Sequence, residues 1–161
     1  MTSYIRLVRY PYEEPDHLHL AMIASNGRVR GRLEFYLGAP MLTQWAEGME
    51  KFPRHARSSL LWELGSERPE DRCASYFRMR VFVVDVQGHS AIHFVFNNNR
   101  ELPRREISEF CIESDPAPIN RLGQLFRDFA ALKHEVLEWS PTSGQLFESI
   151  EDPEQQFATR R

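Results

Sequence analysis

The chain has 161 residues, one domain's worth, and is long enough to bury a core without disulfide or metal staples. Apolar residues at 42% and charged residues at 27% exclude a wholly disordered chain and a collagen-like or coiled-coil rod, and no run approaches the ~18 apolar residues of a membrane helix. Twenty basic against 23 acidic residues leave a net charge of −3, without the basic excess by which nucleic-acid binders neutralise phosphates.

A strand is expected over residues 4–10, followed by a turn-rich stretch from Pro11 to Pro15. Residues 17–25 and 28–37 flank Asn26-Gly27, a dipeptide suited to a two-residue type I′ turn because both of its positions need φ > 0. That turn sets Leu18 opposite Phe35, Leu20 opposite Leu33, Met22 opposite Gly31 and Ala24 opposite Val29 on one face. The other face receives His17 opposite Tyr36, His19 opposite Glu34, Ala21 opposite Arg32 and Ile23 opposite Arg30. A slip of one residue would turn every apolar group to water, so pattern and turn specify one register.

Pro40 stands at a favoured first-turn position, and Leu42, Trp45, Met49 and Phe52 recur every three or four residues, predicting a helix that Phe52-Pro53 stops. Residues 59–64 alternate, with Leu60, Trp62 and Leu64 inward, as a further strand. The stretch 65–72 reads as a charged, exposed loop. A long hairpin follows over 74–86 and 89–97, turning at Gln87-Gly88. This pairs Val83 with Ile92, Val81 with Phe94 and Met79 with Phe96, while Phe82 with His93 and Val84 with Ala91 make a second face apolar enough to predict cover on both sides. A last strand is expected at 105–113. Asp115 and Pro116 then open a long helix to about residue 139, with Ile119, Leu122, Phe126, Phe129, Lys133 and Val136 at heptad-like spacing.

The order β-β-β-α-β-β-β-β-α, with strands in runs and helices set apart, predicts an α+β fold. The expected architecture is a curved, mainly antiparallel sheet of about seven strands with two helices packed on its concave face. Residues 1–140 form the single α+β domain, and 141–161 a polar C-terminal tail in which Leu146, Phe147, Ile150 and Phe157 leave room for a short docked segment.

Phosphate-cradling glycine loops and a Gly-x-Ser-x-Gly elbow are absent, and no cofactor is implied. His17-x-His19 with Glu34 across the hairpin is a candidate three-ligand metal site, set against a plain exposed His–Glu pair. His89 and His93 are too far apart along a strand to share an ion, and His93 reads as half-buried. Cys73 and Cys111 read as thiols in apolar strand-like stretches. All basic residues except Lys51 and Lys133 are arginines, which reflects either the coding bias of the source or the use of arginine's planar fork at interfaces. The outward face of the first hairpin gathers Arg28, Arg30, Arg32, Glu34 and Tyr36, residue types that protein interfaces enrich and that plain solvated strands also carry.

Arg32-Leu33-Glu34-Phe35-Tyr36 running into the 42–52 helix, and the 60–65 segment before the long hairpin, carry a likeness that spans about residues 16–129. In this layout the chain resembles small bacterial immunity-type proteins encoded beside contact-dependent or secreted toxins. The resemblance implies a non-enzymatic protein that binds and blocks a toxin domain, and it carries over no site residue. The expectation is therefore a cytoplasmic binding module whose partner is another protein, with no nucleic acid and no membrane. Two alternatives stand beside it. One is a small-ligand binder or metal-dependent enzyme using the concave sheet face, with His17, His19, Glu34 and His93 as its candidates. The other is a self-associating structural domain.

Overall fold

The computed structural model describes residues 2–150, and its fold is α+β. Its strands form two antiparallel sheets rather than one. The first contains β1 (Tyr4–Tyr10), β2 (Leu18–Ser25), β3 (Arg30–Leu37), β8 (Val136–Ser140) and β9 (Ser143–Phe147), in the order β3-β2-β1-β8-β9. The second runs β4 (Ser59–Gly65), β5 (Tyr76–Val83), β6 (Ser90–Asn97) and β7 (Ile107–Ser114). Among the described residues nine strands thus replace the expected seven. The helices are α1 (Ala39–Glu50) and α2 (Pro116–Phe129).

One core joins both sheets to both helices, and Leu7, Met22, Phe35, Trp45, Phe77, Phe94 and Phe126 are among its members. The inner faces are therefore filled by α1 and α2, which also pack on one another. Asn120 of α2 donates to the carbonyls of Met49, Glu50 and Phe52 at 2.8, 3.3 and 2.6 Å, closing the free C-terminal end of α1. Arg127 grips Glu50 through Nε and Nη2, holding that carboxyl below its usual range.

Two expectations about the C-terminal third are corrected. The second helix ends at Phe129, and Leu132 takes φ +62°, so Val136, Leu137 and Trp139 lie on a strand paired to β1. Arg9, 4% exposed on β1, holds the turn by donating to the His134 carbonyl at 3.0 and 2.8 Å. Its remaining nitrogen reaches Glu14, and Arg121 donates to the Ser140 carbonyl at 2.8 Å. The domain also passes the boundary expected at 140, because β9 pairs with β8 and buries Phe147. Phe157 lies outside the described residues.

Both hairpins keep their predicted faces and shift their partners by two residues. Leu20 meets Phe35 and Met22 meets Leu33, because the first loop is 26–29 rather than 26–27. Asn26 organises it: its side-chain oxygen accepts from the N–H groups of Arg28 and Val29 at 3.0 and 2.9 Å. In the second, Val81 meets Ile92 and Met79 meets Phe94 across the loop 85–88, where Asp85 accepts from Gln87 and His89 N–H at 3.0 and 3.1 Å. Asx side chains that bond backbone ahead of them are a general alternative to a tight primed turn. Among the described residues no layer covers the outer face of this hairpin: Phe82 is half-buried beneath the Arg80 guanidinium, 4.5 Å from the ring centre, and Val84 is 51% exposed.

Candidate protein-binding face

Strand β3 alternates strictly, which is what a strand with one face on the core requires. Gly31, Leu33, Phe35 and Leu37 are buried, and Arg30, Arg32, Glu34 and Tyr36 are exposed between them. Arg28, in the preceding loop, is exposed as well. All five expected face residues therefore reach solvent, and Arg32, Glu34 and Tyr36 are fixed in direction by a buried neighbour on each side. Glu34 bridges two partners, accepting from Arg32 at 3.2 Å and lying 3.0 Å from His19 Nε2.

His19 stands opposite Tyr36, not opposite Glu34, and reaches that carboxylate diagonally. Its ring lies 4.7 Å from Tyr36, nearly parallel, and 5.0 Å from Tyr10, which stacks on Tyr12 at 6.2 Å. Tyr12 is 78% and Tyr36 56% exposed, so one end of the face is an open aromatic ladder. The sequence reading missed Tyr10 and Tyr12, although Tyr10-Pro11-Tyr12 directly precedes the hairpin. His17 lies outside β2, is exposed, and donates its backbone N–H to Glu13. Among the described residues no three His, Cys, Asp or Glu side chains gather to hold one ion. Of the expected His17, His19 and Glu34 metal set, only His19 and Glu34 lie in contact, at 3.0 Å.

At the other end of the face, Arg30 and Arg32 form one wall of a groove of about 540 Å³. Its far wall is Arg105, Glu106, Ile107 and Ser108, at the start of β7. The groove lies where the edge strands of the two sheets meet, and there Ser108 Oγ donates to the Arg30 carbonyl at 3.0 Å and Asn26 to the Cys111 carbonyl at 3.3 Å. Arg105 is expected from sequence only as the start of the last strand, which begins instead at Ile107, and it comes to Arg30 only through the meeting of two sheets.

The other candidates for chemistry are dispersed. His93 sits on the outer face of the second sheet, opposite Arg80 and Cys111, with Nε2 2.7 Å from Glu109. His89 pairs with Asp85 at 2.6 Å, which raises the imidazole above its usual value and lowers the carboxyl. Burial, with Glu109 and Glu113 adding to it, pushes the Cys111 thiol up, away from the thiolate a nucleophile needs. Cys73 lies in the loop before β5, not in a strand. Among the described residues no helix is long and apolar enough to cross a membrane. The chain matches no protein-family model, no curated protein and no solved structure.

Proposed function

We propose that this chain is a non-enzymatic protein-binding module that acts as an immunity-type protein, binding a cognate toxin and blocking it. One observation carries the reading: Arg30, Arg32, Glu34 and Tyr36 stand exposed on a strand whose alternate residues are locked in the core. A rigid row of arginine and tyrosine loses little side-chain freedom on contact and supplies the residue types that dominate binding energy at interfaces. The open ladder of Tyr12, Tyr10, His19 and Tyr36 adds flat aromatic area beside the arginines. Dispersal of the histidines and the raised Cys111 thiol supply no convergent set for bond-making.

The test is growth protection. Cells making the product of a toxin-like open reading frame adjacent to this gene should survive when this chain is co-expressed. Survival should fall with Arg30→Glu/Arg32→Glu while the purified variant melts at the parental temperature. Equal survival with the variant would remove the face from the account, and absence of protection by the parent chain would remove the immunity role.

A further inference from the structure

A second groove adjoins the one beside β3. Arg105 lines both, and the second, of about 360 Å³, adds Arg68, Arg72 and Arg100 between the 66–73 loop and the 97–105 loop. Of these arginines only Arg32 and Arg68 are ion-paired among the described residues, the first with Glu34 and the second with Glu70 and Asp71. The guanidinium groups of Arg30, Arg72, Arg100 and Arg105 are exposed, and none makes an ion pair or side-chain hydrogen bond among the described residues. A protein of net charge −3 thus gathers six arginines, against Glu67, Glu101 and Glu106, along a trench of two adjoining grooves that share Arg105. Field lines focus in such clefts, and the guanidinium fork matches a carboxylate with two parallel hydrogen bonds.

We infer that this trench receives an extended acidic segment of the partner protein, with Asp or Glu at alternate positions. The inference rests on the protein-binding reading and specifies what is bound. Arg30 and Arg32 are two residues apart on one strand face, a spacing of about 7 Å, which is also the repeat of same-side carboxylates on an extended chain. The trench begins between two edge strands, β3 and β7, and no backbone-to-backbone hydrogen bond joins them among the described residues. An incoming strand finds two sheet edges there as well as charge, with the Arg30 carbonyl already taken by Ser108 Oγ. Glu106, Glu101 and Glu67 interrupt the positive walls. A continuous run of phosphates would meet those carboxylates, whereas a polypeptide can place a neutral or basic residue against them.

The probe is a fluorescent peptide, acetyl-Glu-Ser-Glu-Ser-Glu-Ser-Glu-amide, titrated with the full chain at low ionic strength and followed by anisotropy. Binding is expected, with a loss of about tenfold or more in Arg105→Glu and in Arg30→Glu. Arg57→Glu, at the opposite edge of the second sheet, should bind as the parent does, and all variants should keep the parental melting temperature. The same peptide with Gln for Glu should not bind. Three results would overturn the inference: no peptide binding, binding indifferent to the arginine reversals, or tighter Arg105-dependent binding of a single-stranded oligonucleotide. Growth protection lost with Arg30→Glu/Arg32→Glu, together with a peptide that does not bind, would overturn the acidic segment and leave the binding module. Peptide binding that follows the arginines in cells that gain no protection would support the trench and remove only the immunity role.

Discussion

Gly31 of β3 lies against the Phe96 ring of β6, so close that a Cβ added at Gly31 would stand 2.7 Å from the ring's Cγ. This contact is where the two sheets meet, and it also forms the floor of the arginine groove. Gly31→Ala must push the ring or the strand aside, an overpacking that costs about 1–3 kcal/mol. Urea unfolding should show the loss as a lower midpoint at unchanged slope. An unchanged midpoint would mean that the seam gives way easily and is not what fixes the two sheets together.

Gly123 poses a sharper contest between local and tertiary preference. In an isolated helix, Gly→Ala stabilises by about 1 kcal/mol. Here a Cβ would lie 2.7 Å from the Glu50 backbone nitrogen and 2.9 Å from the Ala46 oxygen, both of α1. Backbone atoms cannot rotate away, so Gly123→Ala should lower the melting temperature. Each kcal/mol corresponds to about 2–4 °C for a domain of this size. A rise in melting temperature would show that α1 and α2 separate at little cost.

Arg9 is the buried charge on which the C-terminal strands depend. Its guanidinium holds the His134 carbonyl and reaches Glu14. Removing one partner of a buried pair leaves the other uncompensated, so Arg9→Met should cost about 3–5 kcal/mol. Amide exchange should locate the damage, with protection lost first in β8 and β9. Uniform loss across both sheets would contradict this placement.

Tyr76 gives a stability signature in alkali. Burial, with the 2.6 Å bond to Glu63 adding to it, pushes its phenol up to about 12 from the ordinary 10.0. Folding then favours the protonated phenol, so the contribution is whole below pH 10 and fades as pH rises through about 12. Between those values the parent chain should lose more stability than Tyr76→Phe, which has no proton to release. Parallel stability curves for the two proteins would show that Tyr76 does not titrate there.

What the sequence reveals follows the range of the forces involved. Alternation and helical spacing place β1 to β7 and α1, because each is a short-range pattern against one core. A two-residue slip preserves every face, which explains why His19 and Arg32 point as expected although their partners differ. The helix end at Phe129 was hidden, since Lys133, Val136 and Leu137 continue the apolar spacing. The turn beyond it is held by Arg9, which lies 125 residues away from His134 in sequence. The groove was equally illegible: Arg30 and Arg105 meet only because the two sheets do.

The central claim is that the outward face of β3 grips a protein. Calorimetric titration of the toxin domain proposed as partner with the purified chain tests it most directly. Tight, near-stoichiometric binding by the parent, weakened at least about a hundredfold by Arg30→Glu/Arg32→Glu, is the predicted result. Equal affinity in the variant, whose fold the melting curve verifies, would contradict it.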